Sequence, residues 1–382
     1  MKKLAIVTTH PIQYYAPVFE LLAQHCELKV YYTWGQTAMG EKYDPDFRKT
    51  ITWDIPLLKG YNHTFVNNHA KNPGSHHFFG IDNPKLIEEI ELFDPAVILL
   101  YGWAYKSHLQ VIRYFHKKIP VWLRGDSNLL DVKAGLKRRL RALALRWVFS
   151  YLDKALYVGT ANKAYFKEYG LKENQLIFMP HAIDNKRFDH VNSKESQVLR
   201  VELGLNDHDL LLTFAGKLEN KKSPLLLLEA FMALNLPNTH LLFVGNGHLE
   251  NLLKEKADFS PFVHFLDFQN QRNMPVIYHM SDLFCLPSKG PGETWGLAVN
   301  EAMAAQKAIL VSNKVGCAAD LIRNGVNGYV FEAENKHDLM EKLSLLLEDH
   351  ESLKEMGKES ARIIKDWSFE KQTQAILDEL YK

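Results

Sequence analysis

The chain has 382 residues, more than one ordinary hydrophobic core accommodates, so two domains are expected. It is 46% hydrophobic and 24% charged, a globular composition, and its 46 Lys plus Arg nearly cancel its 45 Asp plus Glu, which argues against bulk nucleic-acid binding. Its three cysteines, Cys26, Cys285 and Cys317, have neither a metal-ligand rhythm nor a disulfide framework and fit a reducing compartment.

The chain begins MKKLAIVTTHPIQYY, with only four apolar residues between the lysines and Thr8, too short for a signal-peptide core. No apolar run reaches the roughly 18 residues of a membrane span, so a cytoplasmic protein is expected. Short apolar runs then predict strands at residues 4–9, 28–34, 63–68, 96–101, 120–125, 154–159 and 176–181. A second series follows at 210–216, 239–245, 263–267, 283–288, 308–313 and 327–333. Helix-length segments such as NPKLIEEIELF and SPLLLLEAFMAL separate most of them. Continuous apolar strands alternating with helices indicate parallel sheets covered on both faces. The fold class is therefore α/β, with two doubly wound Rossmann-like domains facing a central cleft. The polar stretch from Asn185 to about Asp209 marks the break, giving domains at 1–185 and 186–365. The tail after about His350 reads as two helices, and a terminal helix at about 366–382 is placed back on the first domain.

Ligands of such sheets bind beyond the carboxyl ends of the strands. In chain order, His10 and Gln13 follow the first strand, and Trp103, Tyr105 and Lys106 follow the strand at 96–101. Arg124, Asp126 and Ser127 follow the strand at 120–125; Arg124 suits a phosphate, and Asp126 either contacts a ligand or caps a turn. The segment from Gly35 to Asp82 lacks strong periodicity and reads as loop, either an ordinary excursion or a substrate-selecting surface.

Residues 131–152 form a predicted amphipathic helix in which Leu136, Leu140, Leu143, Trp147 and Tyr151 recur every three or four positions. Basic residues from Lys133 to Arg146 crowd its other sides. The expected arrangement turns the leucine stripe to the sheet and the basic face to solvent; the alternative is peripheral contact with an anionic membrane.

In the second half, PSKGPGETWGLAVNEAMA places Glu293 and Glu301 eight positions apart, with a helix expected from about Trp295 to Gln306. Eight helical residues span roughly 12 Å, too far for the two carboxylates to act on one bond. They suit the two ends of a long ligand, with a helix N-terminus addressing an anionic middle. A nucleoside diphosphate sugar has that layout; two exposed acids on a capped helix is the plainer reading. Gly216 ends a strand and is followed by Lys217 and Lys222, then by Ser223 as N-cap and Pro224 as first helical residue. Lysines so placed can neutralise phosphates.

Together these stretches resemble the donor domain of family-4 retaining glycosyltransferases, which have the glycosyltransferase-B (GT-B) fold. The matching residues are Gly216-Lys217-Leu218 with Lys222, Pro287-Ser288, Glu293-Thr294-Trp295-Gly296-Leu297 and Glu301-Ala302-Met303-Ala304. Val244-Gly245-Asn246-Gly247, Asn327-Gly328 and Pro180-His181-Ala182-Ile183-Asp184 add to it. The resemblance is dense from about 155 to 335. It implies that Glu293, Thr294, Trp295 and Gly296 meet the donor sugar, that Leu297 and Ala298 offer N–H groups to the diphosphate, and that Glu301 binds the ribose. It further implies that Lys217 and Lys222 hold the diphosphate. Lys217 stands where the family has Arg, and the family's His near Asp126 is missing. Asp126 is then the remaining catalytic candidate, with His10, Gln13, Trp103 and Arg124 on the acceptor side.

The function so implied is hexosyl transfer from a UDP- or GDP-sugar to a glycan or lipid-linked glycan with retention of configuration, in bacterial surface-polysaccharide synthesis. No cofactor and no metal are expected. The competing functions are a sugar-nucleotide epimerase of the same fold and a non-catalytic glycan-binding scaffold.

Overall fold

A computed structural model describes residues 1–35, 42–44, 49–51, 54–132, 135–189 and 193–382. In chain order the elements are β1 (Lys3–Thr8), α1 (Ala16–Ala23), β2 (Glu27–Tyr32), β3 (Lys42–Asp44), β4 (Lys49–Ile51), β5 (Asn62–Phe65), α2 (Leu86–Phe93), β6 (Val97–Tyr101), α3 (Lys106–Phe115), β7 (Val121–Arg124), α4 (Leu136–Phe149), β8 (Lys154–Tyr157), α5 (Thr160–Glu168) and β9 (Leu176–Phe178). There follow α6 (Asn185–Asp189), α7 (Ser193–Glu202), β10 (Leu210–Ala215), α8 (Pro224–Leu234), β11 (Thr239–Val244), α9 (Glu250–Lys256), β12 (Val263–Leu266), α10 (Met274–Met280), β13 (Leu283–Leu286), α11 (Leu297–Ala304), β14 (Ala308–Ser312), α12 (Ala318–Leu321), β15 (Gly328–Phe331), α13 (Lys336–Leu347), α14 (His350–Ile364) and α15 (Phe369–Leu380).

Two compact units result. The first comprises residues 1–42, 55–181 and 369–382. Its seven-stranded sheet runs β5-β2-β1-β6-β7-β8-β9, with every pairing parallel. The second comprises residues 43–54 and 182–368, and its six-stranded parallel sheet runs β12-β11-β10-β13-β14-β15. Each sheet reverses its order of addition once, between β1 and β6 and between β10 and β13. Such a reversal opens a crevice at the strand carboxyl ends, because the two flanking loops turn to opposite faces. All thirteen predicted apolar runs are strands of these two sheets; the central ones are buried on both faces, whereas the edge strands β5 and β9 are partly exposed.

The last helix completes the first unit. Lys2 donates from Nζ to the Leu380 carbonyl at 2.7 Å, the Tyr381 hydroxyl donates to the His25 carbonyl at 2.8 Å, and Lys154 pairs with Glu379 at 3.0 Å. The polar stretch after Asn185 is helical, as α6 and α7, and lies within the second unit; residues 190–192 lie outside the described residues. Of the loop-rich segment from Gly35 to Asp82, residues 36–41, 45–48 and 52–53 also lie outside them.

One helix differs from its expected orientation. α4 begins at Leu136, after Gly135 at φ +143°, and not at Asp131. Leu145, Val148 and Phe149 are the residues it buries. The stripe expected to meet the sheet faces solvent instead: Leu136 is 72% exposed, Leu140 60%, Leu143 64% and Trp147 45%. The reason is that the helix carries two apolar faces, and the one with Val148 and Phe149 completes the core beside Val121 and Tyr165.

Candidate functional site

In the second unit the site is built on the two loops at the β10/β13 reversal. β10 ends at Ala215; Gly216 and Lys217 follow, and a single 3₁₀ turn, Asn220–Lys222, delivers Lys222 before α8. Ser223 stands at the cap position with φ +52°, and its hydroxyl has no hydrogen-bond partner among the described residues. The expected side-chain cap is therefore not made: a left-handed residue is needed to turn from the 3₁₀ turn into α8, and that turn carries the hydroxyl away from the helix N–H groups. Pro224 is the first helical residue, as expected.

The other loop runs from Pro287 to Gly296. Helix α11 starts at Leu297, two residues later than predicted, because Gly296 takes φ +98° and ends the loop. Glu293 therefore lies on the loop, while Glu301 lies in the second turn of the helix. Glu293 is 8% exposed and accepts from Lys222 Nζ and, at 2.9 Å, from Ser288 Oγ. Glu301 is 4% exposed and accepts from the Tyr278 hydroxyl of α10 at 2.9 Å. Both are held carboxylates and not solvated surface acids. Trp295 is buried, its indole N–H donating to Asn300 Oδ1 at 2.9 Å, so its ring serves packing and only its backbone is available to a ligand. The N–H groups of Leu297 and Ala298 have no acceptor within their own helix, which is the geometry of an anion-facing helix start.

A neighbouring turn fixes the loop. The Gly316 N–H donates to the Glu293 carbonyl at 3.1 Å, and the Cys317 N–H donates to the Trp295 carbonyl at 2.9 Å. A Cβ on Gly316 would stand 1.8 Å from the Thr294 carbonyl oxygen, so only glycine allows this approach.

In the first unit a cavity of about 350 Å³ opens at the β1/β6 reversal and is lined by His10, Tyr15, Trp103, Tyr105, Arg124 and Asp126 among others. The structure thus brings together His10, Trp103, Arg124 and Asp126; Gln13 does not line this cavity. Lys106 is engaged by Asp82 at 2.6 Å. Arg124 is 2% exposed, donates from Nη1 to the Tyr15 hydroxyl at 2.7 Å, and stacks over the Tyr15 and Tyr101 rings at 4.8 and 5.7 Å. Among the described residues its Nε and Nη2 have no hydrogen-bond partner. Burial, and then the Arg124 charge, hold His181 well below its ordinary value, so that ring is neutral.

A second buried histidine shapes the cavity wall. His108 Nδ1 donates to the Gly102 carbonyl at 2.8 Å and Nε2 faces the Thr33 hydroxyl at 2.9 Å, which anchors the loop after β6. Burial pushes its pKa down to about 4. The unfolded chain, with an ordinary value of 6.5, takes up this proton first. The contribution of His108 to stability is therefore expected to be constant above about pH 6.5 and to fall by about 3 kcal/mol as pH drops toward 4. Urea denaturation of His108→Asn should show a flatter dependence across that window; an unchanged slope would clear His108 of the effect.

Tyr278, Ser288, Tyr15 and His108 lie outside the set of site residues that the sequence singles out. Ser288 at least stands inside one of the motifs, whereas the other three act on partners far away in sequence.

Residues 195–362 match the family model for Glycosyl transferases group 1. The chain is 29% identical over 235 residues to the N,N'-diacetylbacillosaminyl-diphospho-undecaprenol alpha-1,3-N-acetylgalactosaminyltransferase of Campylobacter jejuni, covering 60% of each chain. It is 30% identical over 188 residues to Spore coat protein SA of Bacillus subtilis, covering 46% of this chain and 49% of that one. The chain thus spans about half to three fifths of the length of these curated relatives. Among solved structures, the sucrose-phosphate synthase of Thermosynechococcus elongatus superposes with a TM-score of 0.74 at 16% identity, covering 100% of this chain and 98% of that one. Anabaena Alr3699/HepE in complex with UDP and glucose gives 0.73 at 16% identity with both chains fully covered. These likenesses establish the GT-B fold class, with two Rossmann-like units. The elements that hold Lys217, Lys222, Glu293 and Glu301 lie inside the matched segment, residues 195–362, which is similar to the Glycosyl transferases group 1 domain.

Proposed function

We propose that the chain is a glycosyltransferase that moves a hexose-type sugar from a UDP- or GDP-sugar to a glycan or lipid-linked glycan acceptor, with retention of configuration. The observation that carries this reading is the largely buried Lys222–Glu293–Ser288 group beside the start of α11, at the order reversal of a parallel sheet. In this reading Glu293 holds the donor sugar and positions Lys222, while Lys217 and Lys222 face the diphosphate. Glu301, steadied by Tyr278, takes the ribose. The bond from the anomeric carbon to the diphosphate breaks as the acceptor oxygen bonds to that carbon. The acceptor proton passes to the departing phosphate oxygen. Fixed cations and the N-terminal dipole of α11 oppose the charge that develops there, which is the largest catalytic term such a site can supply. The lysines carry this role without a metal, so turnover is expected to survive chelation.

The cavity of the first unit, with Asp126, Arg124, His10 and Trp103, is assigned to the acceptor side. The name of the Campylobacter jejuni relative describes transfer of N-acetylgalactosamine to a diphospho-undecaprenol-linked sugar, which supports a lipid-linked acceptor.

A panel of UDP- and GDP-sugars tests the proposal. Slow release of UDP or GDP from one donor is expected, with Glu293→Gln lowering it about 100-fold or more. Isomerised sugar would indicate an epimerase, and binding without turnover in the presence of acceptor extracts would indicate a scaffold.

A further inference from the structure

The outward face of α4 is exposed and has an unusual composition for a surface. Leu136, Leu140, Leu143 and Trp147 lie within an arc of about 60° on a helix of 3.6 residues per turn. The buried Leu145, Val148 and Phe149 lie roughly opposite. All four stripe residues are substantially exposed, the least at 45%. The stripe is about 16 Å long at 1.5 Å per residue. On the same arithmetic Arg139 and Arg146 border it on one side and Lys137 on the other.

The charge around the stripe has one sign. Helix α4 carries Lys137, Arg138, Arg139, Arg141 and Arg146 and no Asp or Glu. Helix α3 and the turn after it add to it: the Arg113 guanidinium stands 5.5 Å from the Trp147 ring, and Lys118 Nζ stands 3.5 Å above the ring of half-exposed Tyr114. Among the described residues the acids that meet this cluster are Glu168, paired with Arg138 at 3.2 Å, and Glu91, which accepts from the Tyr114 hydroxyl. Both engage residues behind or beside the stripe; Arg146 donates from Nη2 to the Glu168 carbonyl at 3.3 Å, a neutral acceptor that leaves its charge uncompensated, and Arg139 and Lys137 are exposed on the borders of the stripe.

We infer that this face of α4 seats the protein on an anionic lipid surface, with Leu136, Leu140, Leu143 and Trp147 entering the headgroup boundary and the flanking cations meeting lipid phosphates. An apolar strip with Trp at one end and Arg or Lys along both borders is the composition of an interfacial helix. A second copy of the chain fits less well. A two-fold contact through this stripe would set two basic helices against each other without an acid between them. The inference rests on the first unit alone and is independent of the reading of the lysine and glutamate site, since its readout is binding and not turnover.

The test is flotation of the whole chain with large unilamellar vesicles, either phosphatidylcholine alone or phosphatidylcholine mixed with phosphatidylglycerol. Binding to the mixed vesicles that weakens with added salt is expected. Leu140→Ser with Leu143→Ser, and separately Arg139→Glu with Arg146→Glu, should each lower the partition coefficient about tenfold or more. Thermal unfolding should be close to that of the parent, because all four positions are exposed. Quenching of tryptophan emission by brominated lipid should diminish in Trp147→Phe. Lys354→Glu with Lys358→Glu, on α14 of the other unit, should leave binding unchanged. No flotation with the mixed vesicles would overturn the inference. So would binding that all the charge reversals weaken alike, or a dimer that the leucine variants dissociate without any vesicle binding.

Discussion

Lys222→Met is expected to lower transfer about 100- to 1,000-fold and, separately, to destabilise the fold by about 2 to 4 kcal/mol. The two effects have different origins. Glu293 is 8% exposed and Lys222 18% at the side chain, so removing the ammonium strands a carboxylate with Ser288 as its remaining side-chain donor. A buried charge without its counterion costs far more than the pair contributed, whereas removing both charges together is often close to neutral. The double variant Lys222→Met, Glu293→Gln should therefore recover most of the stability lost in the single variant. Its activity should stay at the level of the single variant or below. Urea midpoints and donor turnover measured on the parent, both single variants and the double variant read this out. Recovery of turnover in the double variant would mean that the pair supports the fold and takes no part in chemistry.

Gly316→Ala should have the second large effect. A Cβ there would meet the Thr294 carbonyl oxygen at 1.8 Å and its carbon at 2.5 Å, backbone atoms that cannot swing aside. The segment from Glu293 to Trp295 would have to move, and with it the carboxylate that meets Lys222. The expected result is a loss of about 3 kcal/mol or more in stability together with at least tenfold weaker donor binding. Gly292, which precedes Glu293 on the same loop, is the control. It has φ +93°, but a Cβ added there would have no atom within 4 Å, so Gly292→Ala should carry only a backbone penalty of about 1 kcal/mol. Equal effects from the two variants would show that the contact between Gly316 and the loop does not matter.

The sheets were legible because their strands are buried on both faces and so read as unbroken apolar runs at 4–9, 96–101 and 210–216. The two carboxylates and two lysines were legible because they recur at fixed offsets around a strand end. What the sequence concealed was orientation and long-range pairing. A stripe of leucines at positions 136, 140 and 143 has the same period whether it faces a sheet or water, and the competing face at 145, 148 and 149 decided the matter. Helix α11 began late because the turn before it needed a left-handed glycine, a property of the loop's path and not of the helix pattern. Tyr278 with Glu301 and Tyr15 with Arg124 are separated by 23 and 109 residues, so no local pattern announces them.

The return of α15 to the first unit bears on how the chain is made. The segment from 182 to 368 can collapse as soon as it leaves the ribosome, since its partners are all at hand apart from the short early piece at 43–54. The amino-terminal unit is synthesised first yet must wait for residues 369–382, which cover α1 and tie down Lys2 and His25. Completion of this unit is therefore expected to follow synthesis of the second, reversing the usual vectorial order. Nascent chains arrested before Phe369 should leave that half susceptible to protease while the downstream half is already resistant.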